Sequence, residues 1–154
     1  MRKRLRAIFG DFVPAETLQA LERGDVSIPP LQRTRVCHVL LQVRDDTNET
    51  IANDRSDAIE LMLREGAIVE SVLSSFVSAV FTLESETPLD RIGATLDRLG
   101  SNVRAVYRVG DYLRGVIASP SRFDYGTVVP NMSAAMERLL RLEFGSVERL
   151  DGDM

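Results

Sequence analysis

The sequence predicts an α+β domain with helices packed on a single sheet, and three observations predict it. Gly66 to Leu83 (GAIVESVLSSFVSAVFTL) reads as two strands joined at Ser74-Ser75, with apolar residues alternating at Ile68, Val72 and Phe76 and again at Val69, Leu73 and Val77. Both faces of that pair are largely apolar, so it is expected in the middle of the sheet, buried on both sides. Val103 to Val109 and Tyr112 to Ala118 form a second strand pair, linked at Gly110-Asp111. Helical periodicity fills the stretches between and after them. Strand pairs alternating with helices make a two-layer α+β domain.

The elements follow in chain order. Residues 2–12 form a short amphipathic helix with Leu5, Ile8, Phe9 and Phe12 on one side. Pro14 opens a second helix, ended by Arg23-Gly24-Asp25, and Ser27-Ile28-Pro29-Pro30 is an extended linker. Residues 1–30 are thus a helical segment and linker, and 31–154 the domain. Arg35 to Arg44 is the first core strand, with Cys37, Val39, Leu41 and Val43 on one face and Val36, His38, Leu40 and Gln42 on the other. Asp45 to Asp54 is polar and turn-like. Ser56 caps a helix whose buried stripe is Ile59, Met62 and Leu63. After the hairpin, Thr87 and Pro88 start a helix with Leu89, Ile92, Leu96 and Leu99 inward, stopped by Gly100. Ser119 to Phe123 is a loop, and Tyr125 to Val129 is short and extended. Pro130 starts the last helix, striped by Met132, Ala135, Met136, Leu139 and Leu140, and Val147 to Leu150 can add an edge strand. The resulting βαββαβ core is ferredoxin-like.

Composition narrows the function. A chain of 154 residues, 44% hydrophobic and 27% charged, is one ordinary globular domain. Its net charge of −4 speaks against a general nucleic-acid binder. The basic cluster Arg2, Lys3, Arg4 and Arg6 reads as the solvated side of a helix, with membrane-surface or partner contact as the alternative. No apolar run approaches the roughly 18–20 residues of a membrane span, and Gly10 and Asp11 interrupt the one resemblance to a signal peptide, so a cytoplasmic location is expected. Cys37 is the only cysteine and suits a buried apolar position. His38 is the only histidine, which excludes a two-histidine metal site; it is expected as a satisfied sheet histidine, with a lone base as the alternative.

These residues carry a resemblance to the class III nucleotidyl cyclases, adenylate and guanylate. Glu65-Gly66 stands where that family has Gly-Gly before its central hairpin, and Ala79-Val80-Phe81 matches the end of the second hairpin strand. Gly110 and Gly115 reproduce a pair of glycines five apart. Arg122-Phe123-Asp124-Tyr125 resembles the Arg/Asp-Tyr element, and Ser133 to Leu139 aligns with the helix carrying Val-Asn, Ala and Arg-Leu. Phe9 to Pro14 resembles the junction that joins an upstream signalling element to the catalytic domain. The match runs from about Phe9 to Val147, in spacing and apolar pattern more than in signature residues.

The resemblance implies a chemistry and, at the same time, its loss. The family holds two Mg²⁺ or Mn²⁺ ions between two carboxylates, and hard divalent cations need oxygen ligands. Here the first carboxylate position falls on Val43 and the second on Ser75. The base-contacting Lys falls on Ser71 and its acidic or polar partner near Gly126. The Asn and Arg that steady the transition state fall on Ser133 and Glu137; Arg138 is adjacent, but one helical step turns it about 100° away. The expectation is a cyclase fold with no catalytic residue, metal or cofactor: a dimerising or regulatory signalling module whose partner is a second copy or a cyclase-type domain. One alternative is a nucleotide or small-molecule sensor in which Arg104, Arg108, Arg114 and Arg122 receive phosphate; solvated strand faces paired with Glu and Asp are the expected role of those arginines. The other is a divergent metal-dependent cyclase using Asp45, Asp46 or Asp111.

Overall fold

The computed structural model describes residues 31–44, 47–83, 89–119 and 122–150, with the backbone alone over 116–119 and 122–125. The N-terminal helices and linker, the basic cluster, Asp45, Asp46 and Thr87-Pro88 lie outside the described residues. The elements are β1 (Gln32–Val43), α1 (Asn48–Arg64), β2 (Ile68–Leu73), β3 (Phe76–Thr82), α2 (Leu89–Asp97), β4 (Val103–Ser119), β5 (Arg122–Val128), α3 (Met132–Arg141) and β6 (Val147–Arg149). They build one sheet in the order β2-β3-β1-β4-β5, antiparallel throughout, with β6 parallel to β4. Elements β1 to β4 with α1 and α2 are the expected ferredoxin-like core. Among the described residues no helix is long and apolar enough to cross a membrane.

Strand alternation divides β1 as its sequence predicts. Cys37, Val39, Leu41 and Val43 join Met62 of α1, Phe81 of β3, and Ile92 and Leu96 of α2 in the main core. Each such side chain contributes about 1.5–3 kcal/mol by leaving water. Burial also pushes the Cys37 thiol up to about 12, so it stays protonated. On the other face α3 sets Ala135 and Leu139 over Leu40 and Val106.

Four expectations need correction. First, Gly110-Asp111 is no turn: β1 pairs with β4 without a break from Gln32↔Arg114 to Val43↔Val103, so one 17-residue strand replaces two. Gly110 is needed there because the Tyr112 ring lies on it, and an added Cβ would stand 2.6 Å from Tyr112 Cζ. The expected loop at Ser119 to Phe123 likewise shortens, since Ser119 pairs with Arg122.

Second, only β3 is interior. The two-residue turn puts β2 outside β3 while β1 takes the other side, so β2 is an edge strand and Leu73 is 75% exposed. A bulge between Val69 and Ser71 also breaks the expected alternation: Ser71 pairs with Ser78, Val72 with Val77 and Leu73 with Phe76. One extra residue moves Val72 and Leu73 each to the opposite face.

Third, α1 starts a full two turns before Ser56. Thr47 caps it, its Oγ1 accepting from Thr50 N at 3.0 Å, and the buried stripe is Ile51, Ala58 and Met62, with Leu63 exposed. The helix closes on Gly66, whose φ of 94° lets Gly66 N bond Leu63 O and Ala67 N bond Met62 O. Fourth, Leu140 of α3 is exposed, because the helix rests on the sheet through the narrower stripe Ala135 and Leu139.

Candidate functional site

Val43 ends β1 and Ser75 closes the β2–β3 turn, and the structure joins them: Val43 N donates to Ser75 O at 2.9 Å. Ser74 adopts the left-handed conformation (φ 53°) that a two-residue turn requires of one central residue, and Arg55 Nη1 ties its carbonyl at 2.6 Å. Alternation sends the Val43 side chain into the main core, where it is fully buried. Ser75 Oγ accepts from Gln42 Nε2 at 3.2 Å. Gln42 Oε1 in turn accepts from Arg104 Nε and Nη2 at 2.9 and 2.6 Å, which fixes the amide orientation. These two positions therefore hold a valine and a neutral hydroxyl, and the groups linked to the hydroxyl in turn are the Gln42 amide and, through it, the Arg104 guanidinium. Among the described residues no group of three or more His, Cys, Asp or Glu is arranged to hold a metal ion. Asp111 sits opposite Arg35, toward the far end of the β1–β4 ladder, exposed and 3.8 Å from that arginine.

Ser71 and Gly126 are also brought near one another, through a residue that the sequence reading passed over. Glu70, the extra residue of the β2 bulge, reaches β5: its Oε2 accepts from Thr127 N at 2.7 Å and its Oε1 from Thr127 Oγ1 at 2.5 Å. Gly126 leaves room for this carboxylate, since a Cβ there would lie 3.3 Å from Glu70 Oε2. The sequence does carry a signal for it. Glu70 is the single charge inside an otherwise uncharged strand pair. Ser71 itself is exposed.

On α3, Ser133 and Glu137 are both exposed. Glu137 pairs with Arg141 at 2.6 Å, and it lines a groove between α3 and β6 together with Arg138 and Glu148. Arg138 meets Glu148 of β6 in a bidentate pair at 2.8–3.0 Å.

Three of the four arginines expected on solvated strand faces instead point inward. Arg104 gives Nη1 to the carbonyls of Leu140 and Leu142 at 3.3 and 2.7 Å, and its guanidinium lies over the Phe144 ring at 4.3 Å. Arg108 is 1% exposed, bonds the Pro130 carbonyl and faces the Tyr112 ring at 5.8 Å. Arg114 Nε bonds Thr127 Oγ1 at 2.9 Å and pairs with Glu70 at 3.5 Å, both side chains over nine-tenths buried. Arg122 is described in its backbone only, opposite Ser119. The long aliphatic stems of these residues cover the sheet while their heads find internal acceptors.

His38 is the satisfied sheet histidine that was expected. It is 2% exposed, with Nε2 2.8 Å from Ser78 Oγ. Burial, and then the neighbouring Arg108 cation, pulls its pKa down to about 4, so the ring is neutral at pH 7.

This architecture is shared with solved structures. The guanylyl cyclase Cya2 superposes with a TM-score of 0.63 at 11% identity, over 77% of this chain and 76% of that one. A bacterial light-regulated adenylyl cyclase gives 0.64 at 14% identity, over 84% of this chain and 46% of the other. The non-canonical dimeric guanylyl cyclase domain of the RhoGC fusion protein from the aquatic fungus Blastocladiella emersonii gives 0.58 at 10% identity, over 75% and 79%. No protein-family model and no curated protein matches the sequence. The fold is that of the class III adenylyl and guanylyl cyclase catalytic domain.

Proposed function

We propose that this cyclase-fold domain performs no cyclase chemistry and serves as a dimerising, regulatory module. The observation that carries the reading is the Val43–Ser75 junction. Two divalent ions beside a triphosphate need charged oxygen ligands. Val43 offers none, and the Ser75 hydroxyl is neutral and engaged by Gln42. The residues there do not fit a metal pair. At the aligned transition-state positions, Ser133 is neutral and Glu137 has the opposite charge to an arginine; losing one such donor typically lowers the rate by about 10²–10³.

The dimerising half of the reading draws on the surface beside that junction. Exposed Leu73 is paired with Phe76, and Phe76, like Met132 and Met136 of α3, packs half-buried against the cluster of Leu40, Val106, Ala135 and Leu139. An exposed leucine on an edge strand suits a protein contact, and two-fold pairing is the commonest way for identical chains to use one. The occupant is a second copy of the chain or a cyclase-type domain. The arginines weigh against the sensor alternative, because Arg104, Arg108 and Arg114 already spend donors on internal acceptors.

Sedimentation velocity of wild type and Leu73→Glu tests the assembly. The expected result is a concentration-dependent dimer that the charge abolishes without unfolding the domain. A wild type that stays monomeric at high micromolar concentration and captures no cyclase-type domain would contradict it.

A further inference from the structure

β2 and β5 stand at opposite ends of the β2-β3-β1-β4-β5 path, yet they touch. The sheet curls at this end because β4 continues past the start of β1: its pairing with β1 ends at Arg114, and Leu113 to Ser119 pairs with β5. The β4–β5 hairpin is therefore an arm, and within the sheet β5 pairs with β4 alone. Glu70 holds the arm from across the curl. Its carboxylate takes up the outward-facing N–H of Thr127 and the Thr127 hydroxyl, and it pairs with Arg114 at the root of the arm. Two features of the chain serve this contact: the bulge that makes Glu70 the extra residue of β2, and the missing side chain at Gly126.

Next to the arm lies a strip of polar and aromatic side chains, buried at His38, Arg108 and Tyr112 and half-buried at Ser78, unusual for a sheet centre. Ser78 and His38 are bonded, His38 is paired with Arg108 across β1 and β4, and Arg108 faces Tyr112. The Pro130 carbonyl, just beyond β5, receives the Arg108 guanidinium. Whatever holds β5 in place thus also keeps the cover of Arg108 in place.

We propose that the Glu70–Thr127–Arg114 contact is a latch that holds the β4–β5 arm closed beside the Ser78–His38–Arg108–Tyr112 strip, and that the arm opens as a unit while the rest of the sheet stays folded. A buried carboxylate that bridges two edges through charge-assisted bonds is strong when made, and removing it takes the acceptor from Thr127 N and the opposite charge from Arg114. Such a contact makes opening a discrete event rather than a gradual loosening. The latch concerns the motion of the arm and stands whether or not the domain turns over a nucleotide; a positive cyclase assay would overturn the function proposed above and leave it intact.

Native-state amide hydrogen exchange on the full chain tests it, comparing wild type with Glu70→Gln and Thr127→Val. Glu70→Gln keeps the shape and an acceptor while removing the charge, so it reports on the latch even if Glu70→Ala fails to fold. The expected result is exchange of the 122–128 amides accelerated by about tenfold to a hundredfold, with the amides of β1 and β3 unchanged. Unchanged exchange in 122–128 would overturn the proposal. So would acceleration that spreads equally into β1 and β3, since Glu70 would then be a general structural contact.

Discussion

The two faces of this sheet are built on different principles. Under α1 and α2 the face is almost wholly apolar, from Cys37, Val39, Leu41 and Val43 to Met62, Phe81, Ile92 and Leu96, with Thr95 a buried polar exception. The opposite face is apolar only under α3 and around Val36, Val80 and Tyr112; between and beside these it buries His38, Gln42, Arg108 and Arg114. The first face is held by area removed from water, which is tolerant of small changes in shape. The second depends on each buried donor meeting its acceptor. Stability is therefore spread out on one face and concentrated in a few contacts on the other.

Substitutions can break this comparison, and the largest effect is expected on the polar face. Arg114→Ala leaves the Glu70 carboxylate buried without its cation and should destabilise the fold by about 3–5 kcal/mol, read by urea unfolding. On the apolar face, Met62→Ala should cost about 2–5 kcal/mol, through lost contacts and the cavity left behind. The two differ in rescue: a large apolar residue restores position 62, whereas Arg114→Met should gain back its stability only together with an apolar residue at Glu70.

The pH dependence sharpens the contrast further. His38 is neutral in the folded chain with its pKa near 4, while the unfolded chain titrates near 6.5. Between those values the unfolded state binds the extra proton, so stability falls as pH drops from about 6.5 to 4 and flattens below. The loss over that window is about 3 kcal/mol, and it should be missing from the pH profile of His38→Gln. A variant that keeps the full acid slope would assign it to carboxylates instead. The smallest effect is expected at Glu137, exposed and paired only within its own helix. Glu137→Ala should leave stability within about 0.5 kcal/mol of wild type.

What could be read from the sequence follows the same division. The alternation of β1, the turn at Ser74-Ser75 and the inward stripe of α2 are local patterns set by apolar burial, and each is found where the pattern puts it. The cyclase resemblance puts Val43 and Ser75 at the two carboxylate positions; in the fold a backbone bond joins them, with the Val43 side chain turned into the main core. The failures lie where tertiary pairing outweighs a local signal. Gly110-Asp111 has the composition of a turn, but the long ladder with β1 holds it extended, and Gly110 is there to admit the Tyr112 ring. The β2 bulge adds one residue and inverts the strand beyond it, which strict alternation cannot anticipate. The arginines look solvated in sequence because charge suggests water; their acceptors come from Gln42, Thr127, Glu70 and helix-end carbonyls distant in the chain. The polar stretch ahead of Ser56 looks like a turn because its helix has few apolar residues, and the Thr47 cap marks its true start.

The central claim is a cyclase fold without cyclase chemistry, and product formation tests it most directly. Purified protein at high concentration would be incubated with ATP or GTP and Mn²⁺, and cyclic nucleotide measured against a chelated control. No product above that control is the predicted result. Metal-dependent formation of cyclic AMP or cyclic GMP, lost on Ser75→Ala, would contradict it and return Ser75 to the catalytic machinery.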